Sequence, residues 1–295
     1  MERIVKVLIT GVTGMLGFDL VRVLKDKHQL YGVGRRKAKL SDVRYLSCDL
    51  KSPKVIESYL NKIRPDVVIH TAAMTQVDDC ELEPNKAYAE NVLATHCLIR
   101  ACKRIKPFFV FISTDYVYEG NSKGAIKETQ KVSPVNVYGS SKWLAEELLV
   151  NSSLNYAIVR TSWLYGVNGP NFIKAILNLS KSRKVLKVVD DQIGAPTNTF
   201  DLAKGIKRLI ENKRKRSNSI YHISSSGKTN WKKFAEEILK IENKSTVKVL
   251  PIKTKDCDRP AVRPKNSLLS NGKFKSRYGY GLRSWNEGLK DYLAQ

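Results

Sequence analysis

The chain has 295 residues, 42% of them hydrophobic, which excludes a small disulfide scaffold and allows one large α/β domain or one such domain with a smaller companion. No run of about 18 apolar residues occurs, and Ile4-Val5-Lys6-Val7-Leu8-Ile9 is too short and wrongly flanked for a signal peptide, so the cytoplasm is the expected compartment, with no membrane partner. The net charge of +24 is uneven, with 23 Lys/Arg against 17 Asp/Glu in residues 1–150 and 29 against 11 in residues 151–295, yet no helix-turn-helix, zinc-finger or aromatic RNA-binding pattern makes nucleic acid the expected partner.

Apolar runs of strand length alternate with segments of helical period through the first two thirds of the chain, which predicts a doubly wound parallel (Rossmann) sheet covered on both faces. Strands are expected at residues 4–10, 29–34, 43–47, 66–71, 107–113, 154–160 and 185–189, with helices near 15–27, 53–63, 85–105, 137–151 and 171–181. After about residue 190 the order loosens: helices at 199–212, 230–242 and 285–293, short strands at 219–223 and 247–250, and a loop-rich stretch from 251 to 281. These later elements suit a smaller, discontinuous substrate-binding domain made of about 166–184 and 226–295, the dinucleotide-binding domain being 1–165 and about 185–225. The densest basic run, Lys213-Arg214-Lys215-Arg216, reads as a solvated helix end and loop. The cysteines at 48, 80, 97, 102 and 257 form no CxxC pair and no zinc-spaced cluster, so they read as packing residues, with no metal expected.

The first strand runs into Thr10-Gly11-Val12-Thr13-Gly14-Met15-Leu16-Gly17, with glycines spaced GxxGxxG ahead of a helix. Such glycines permit a tight turn and close approach of backbone N–H groups to a diphosphate, and the helix N-terminus adds positive potential. Gly11, Thr13, Gly14, Met15, Leu16 and Gly17 are therefore candidate cofactor contacts. The second strand ends in Arg35-Arg36 where an NAD enzyme would place an acid, so NADPH is favoured through its 2′-phosphate, with NADH as the second candidate. Asp49 and Leu50 after the third strand can meet the adenine, and Ala72, Ala73 and Met74 after the fourth leave room for the cofactor.

Tyr138-Gly139-Ser140-Ser141-Lys142 sets a phenol and an ammonium four residues apart on one helix face, where the cation is expected to lower the phenol's pKa. The strand before it delivers Ser113-Thr114-Asp115 to its carboxyl end, and the Thr114 hydroxyl can complete a site for protonating a carbonyl oxygen that receives hydride. Asp115 can bind a sugar hydroxyl or cap a turn.

In this order the glycine turn, Thr114, Tyr138 and Lys142 resemble an extended short-chain dehydrogenase/reductase. Further segments are similar to the dTDP-4-dehydrorhamnose reductase family over nearly the whole chain: Ala72-Ala73-Met74-Thr75 with Val77-Asp78 and Glu81, Ser113 to Tyr118, Pro134 to Lys142, Arg160-Thr161-Ser162-Trp163-Leu164-Tyr165-Gly166, Asp191 to Thr197, and Arg263-Pro264-Lys265-Asn266-Ser267-Leu268. The resemblance implies that Tyr138 donates the proton, Lys142 holds the nicotinamide ribose and tunes Tyr138, and Thr114 tunes the acid. Asp115 and Trp163 would contact the sugar nucleotide, and Arg263 would belong to the substrate domain. Met74 and Cys80 depart from the family pattern without touching the expected chemistry. The implied reaction is NADPH-dependent reduction of the C4 keto group of a dTDP-linked 6-deoxy-4-ketohexose, giving dTDP-L-rhamnose, and a homodimer is one assembly open to the chain. The regulatory β-subunit of methionine adenosyltransferase resembles the same family, so a cofactor-binding regulatory subunit is the alternative.

Overall fold

Side chains alternate between two cores along the strands, as parallel strands buried on both faces must. The computed structural model of the chain describes residues 4–36, 38 and 40–295; residues 1–3 of the expected first domain lie outside the described residues. Val5, Val7 and Ile9 of β1 (Val5–Thr10) enter one core and Leu8 the other. The same split recurs in β4 (Val67–His70), β5 (Phe108–Thr114) and β6 (Tyr156–Thr161), where Phe108, Val110 and Ile112 face one side and Phe109 and Phe111 the other. With β2 (His28–Gly34), β3 (Arg44–Ser47) and β7 (Ser219–His222) they form a seven-stranded parallel sheet in the order β7-β6-β5-β4-β1-β2-β3. The order reverses between β1 and β4, and that switch point opens the crevice in which such sheets bind nucleotides.

Helices Met15–Leu24 and Thr199–Glu211 cover one face and Pro53–Ile63, Ala94–Cys102 and Val137–Val150 the other. The expected helix 85–105 is α-helical over Pro84–Tyr88 and Ala94–Cys102, joined by a π-helical turn at Ala89–Leu93. Cys80, Cys97 and Cys102 are buried, and all five thiols are free. No helix of the described residues is long and apolar enough to cross a membrane.

Several assignments change. Strand Val185–Val189, expected in the main sheet, pairs instead with Lys248–Ile252 in a separate two-stranded sheet, since Leu186 and Val188 join Phe234, Ala235, Ile238 and Leu289 in a third core. The seventh main strand is β7, and the order does not loosen after residue 190 so much as return to the first core through helix Thr199–Glu211 and β7. The loop-rich stretch 251–281 contains helix Gly272–Tyr278, whose Phe274 and Tyr278 also pack into that core. Arg216, read as solvated, lays its guanidinium 4.7 Å from the Phe108 ring centroid and donates to the Ile210 carbonyl.

Arg160 of β6 is fully buried, donating to Glu146 at 3.0 and 2.5 Å and to the Tyr118 hydroxyl at 2.6 Å. Tyr118 Oη in turn lies 2.8 Å from His222 Nε2, linking β6, the helix beneath it and β7. Removing one partner strands a buried charge. Arg160→Met should cost about 3–5 kcal/mol in urea unfolding, and adding Glu146→Leu should restore much of it; a single mutant as stable as the parent would show the pair to be solvated.

Candidate active site

The glycine turn follows β1 and is pinned from both sides. Gly11 takes φ +66°, and a Cβ there would lie 2.9 Å from Ala72 and from the Thr71 hydroxyl on the loop after β4; one at Gly17 would overlap the Gly11 carbonyl. Asn168 Nδ2 donates to the Thr13 carbonyl at 2.9 Å, fixing the turn from the substrate side. Gly14 is the N-cap of helix Met15–Leu24 and supplies no side-chain acceptor, so the first-turn amides around Met15 and Leu16 are left for an anion. This uncapped cradle fits a dinucleotide diphosphate. Ala72 and Met74 flank it, the Ala72 N–H on Thr10 Oγ1 at 3.3 Å and the Met74 N–H on Asn91 Oδ1 at 2.8 Å.

Asn91 is a residue that the spacing rules did not single out. It sits buried in the π-helical turn, and its Nδ2 reaches the Met74 carbonyl at 3.1 Å and Ser141 Oγ at 2.9 Å. One amide thus ties the loop after β4 to the Tyr138–Lys142 helix. Extra-turn bulges of this kind recur at functional sites, and a π-turn has no sequence signature.

Thr114 ends β5, its Oγ1 accepting the Tyr116 N–H at 3.2 Å and donating to Asp115 Oδ1 at 3.0 Å. The Thr114 hydroxyl stands close enough to the Tyr138 phenol to act on its ionisation. Desolvation raises the Tyr138 pKa above the ordinary tyrosine value, the Thr114 hydroxyl opposing. That reverses the expected lowering by Lys142. The Lys142 ammonium instead stands 4.0 Å from the Phe111 ring centroid, and burial pushes its own pKa down to about 7, against the attraction of Glu146 one turn on. Buried His70 faces the same lysine from β4, held between Thr10 Oγ1 at 2.6 Å and Thr95 Oγ1 at 2.9 Å, and burial drives it to about 3. Asp115 is buried and raised to about 6 by desolvation, with the Ser267 and Thr114 hydroxyls opposing. Its Oδ2, with Ser113 Oγ and Thr161 Oγ1, is buried without a partner at the carboxyl ends of β5 and β6. Cys80 is buried nearby, its thiol reaching the Met74 carbonyl at 3.7 Å.

The remaining expected residues gather around this point in part. Trp163 adopts φ 49° and stacks on Trp231, centroids 3.8 Å apart and planes at 11°. Gly194 makes room, since a Cβ there would meet the Trp163 ring at 2.6 Å. Arg263 forks onto Asp78 at 2.5 and 2.6 Å and also donates to the Ala261 carbonyl at 2.6 Å, so it is committed to holding its strap against helix Val77–Leu82. That strap crosses the site: Asn266 N donates to Gly120 O at 2.9 Å and Ser267 N to Ile193 O at 2.7 Å, which sets Ser267 beside Asp115. Arg35 pairs with Glu90 at 2.8 Å and Arg36 is exposed, while Asp49 Oδ1 accepts the Lys51 N–H at 2.8 Å and Leu50 is buried below.

A doubly wound sheet with an uncapped glycine turn and a Thr, Tyr, Lys cluster at the carboxyl ends of its strands defines an oxidoreductase of the extended short-chain dehydrogenase/reductase class. Residues 5–295 match the family described as RmlD substrate binding domain, and the chain belongs to that family. It is 34% identical over 291 residues to the spore coat polysaccharide biosynthesis protein SpsK of Bacillus subtilis, covering 98% of this chain and 97% of that protein. Identity to the dTDP-4-dehydrorhamnose reductase of Burkholderia thailandensis is 33% over 307 residues, covering 98% and 100%. Among solved structures, the dTDP-4-dehydrorhamnose reductase of Bacillus anthracis in complex with NADP superimposes with TM-score 0.89 at 32% identity over 99% of each chain. That of Clostridium acetobutylicum gives 0.86 at 35% over 98% of each.

Lys142 makes stability depend on pH in a definite sense. Its native pKa is lowered to about 7 while an unfolded lysine titrates near the ordinary value of about 10.4, so between the two the unfolded state binds more protons and stability rises with pH. Below about pH 7 the buried charge is at its most costly. In urea unfolding from about pH 6.5 to about pH 9, Lys142→Met should be less pH-dependent than the parent and gain most at the acid end; parallel curves would mean that Lys142 keeps its proton throughout.

Proposed function

We propose that the chain reduces the C4 keto group of dTDP-4-dehydro-L-rhamnose to give dTDP-L-rhamnose, with NADPH as the favoured donor and NADH as a second. The observation that carries this reading is the Tyr138 phenol set beside the Thr114 hydroxyl near the glycine-turn crevice, in a family whose named relatives include reductases of that keto sugar. The nicotinamide supplies the hydride. Tyr138, its pKa raised, still holds its proton at neutral pH and gives it to the C4 oxygen as negative charge develops there. Thr114 orients the phenol, and to donate to the same oxygen its single proton must leave Asp115 Oδ1. Lys142 holds the nicotinamide ribose and, with a pKa of about 7, can return a proton towards Tyr138 afterwards.

The turn from Gly11 and Thr13 through Gly14, Met15, Leu16 and Gly17 binds the diphosphate, its Gly11 and Gly14 amides holding the turn through the Val33 and Gly11 carbonyls and the first-turn amides around Met15 and Leu16 facing the anion, while Arg35 and Arg36 bind the 2′-phosphate and Asp49 and Leu50 the adenine. Ala72, Ala73 and Met74 lie along the nicotinamide half. Asp115 and Trp163 contact the sugar nucleotide, and Arg263 serves the substrate side by keeping its strap in place through Asp78. Residues 1–165 then form the dinucleotide-binding domain with helix Thr199–Glu211 and β7, while 166–184 and 226–295 form the substrate-binding domain; the third core supports moving strand Val185–Val189 into the latter. A cytoplasmic location suits a reaction between soluble nucleotides and five free thiols.

NADPH oxidation by the purified chain should require the dTDP-4-keto sugar, whereas a regulatory subunit would bind NADPH and leave it unoxidised. Tyr138→Phe should retain NADPH binding and lose roughly 10²- to 10⁴-fold in turnover; unchanged turnover would remove Tyr138 from its role. Arg35→Ala with Arg36→Ala should raise the NADPH dissociation constant by about tenfold or more and leave NADH nearly unmoved, equal losses meaning that the arginines only support the loop.

A further inference from the structure

At the corner where β2, β3 and the π-helical turn meet, one carboxylate faces two cations. Glu90 Oε2 lies 2.8 Å from Arg35 Nη1, and Glu90 Oε1 pairs with Lys51 Nζ. Lys51 also lies 3.6 Å from Asp49 Oδ2. The Glu90 side chain is only 14% exposed against 62% for Arg35, so the guanidinium is drawn onto the protein and not the reverse. Glu90 cannot follow an incoming ligand outward, because its neighbour Asn91 is pinned to Met74 and Ser141. Arg35 and Lys51 are thus matched by Glu90 and Asp49, and among the described residues exposed Arg36 is the surplus cation of the corner.

We propose that Glu90 is a specificity-determining residue that competes with the 2′-phosphate of NADPH for Arg35 and Lys51, holding down the preference for NADPH over NADH. The inference rests on the proposed reading of Arg35 and Arg36. A dianionic phosphate must take Arg35 from a carboxylate already in place, whereas the neutral 2′-hydroxyl of NADH displaces nothing. The residue acts through charge at a contact made only by NADPH, so its signature is a change in the ratio of two affinities.

Dissociation constants for NADPH and NADH at one fixed ionic strength test this. Glu90→Gln should bind NADPH roughly three- to tenfold more tightly, with NADH within about twofold of the parent, and Glu90→Ala should shift the ratio the same way. In a background that lacks both cations, Arg35→Ala with Lys51→Ala, the gain from Glu90→Gln should vanish. Unchanged or weaker NADPH binding in both Glu90 variants, or equal tightening of both cofactors, would overturn the proposal. If Arg35→Ala with Arg36→Ala costs NADPH selectively while the Glu90 variants are silent, only the role of Glu90 falls. Equal losses of both cofactors in the arginine variant would take down the 2′-phosphate reading and this inference together, as would binding of neither cofactor to the parent.

Discussion

The site depends on how closely helix Val137–Val150 lies against the turn that follows β5. Gly139 makes that approach, since any side chain there would overlap the Tyr116 carbonyl oxygen. Its own N–H is satisfied by the Asn136 side chain at 2.8 Å, which caps the helix, and the other end of the Asn136 amide reaches the Val262 carbonyl at 2.7 Å. A single capping residue therefore seats the helix on the sheet and fastens the substrate-side strap to its N-terminus. From this contact follow the nearness of Tyr138 to Thr114, the position of Lys142 over Phe111, and the meeting of Glu146 with Arg160 one turn further on.

The same proximity explains why the titrating groups oppose the simple rule for a Tyr and Lys four residues apart. Spacing on a helix says that two side chains share a face, and on an exposed face an ammonium would lower a phenol's pKa. Here both are desolvated, so each moves towards its neutral form: the phenol up, the ammonium down. A phenol that keeps its proton suits a donor.

Much of the fold was legible because parallel strands buried on both faces leave uninterrupted apolar runs such as Phe108 to Ile112, and helix Pro53–Ile63 begins at its proline where the pattern says it should. The candidate site can be proposed from sequence where it is local: the glycine turn, Ser113 to Asp115, and Tyr138 to Lys142. Periodicity could not say which sheet a strand joins, so Val185–Val189 looked like part of the main one until its partner Lys248–Ile252 was in view. Nor could it reveal Asn91, Glu90 or His70, whose partners lie between 17 and 60 residues away. Arg263 was read as a residue of the substrate side, and what only the structure supplies is that Asp78 already occupies its guanidinium.

The place of β7 at the edge of the sheet has a consequence for how the chain is made. β6 ends at residue 161 and its outer neighbour begins at residue 219, so roughly 60 residues must leave the ribosome before that edge is covered, some 3 to 12 seconds at ordinary elongation rates. During that interval the nascent sheet presents an open ladder of backbone donors and acceptors, the kind of edge that recruits a wrong strand. Arg160 on that strand already has Glu146 and Tyr118 as partners, both synthesised earlier, whereas His222 arrives with β7 itself. The charge that would be most costly to strand is thus neutralised before the edge closes. The last member of the buried chain acts as a latch, engaging only when the seventh strand has docked in register.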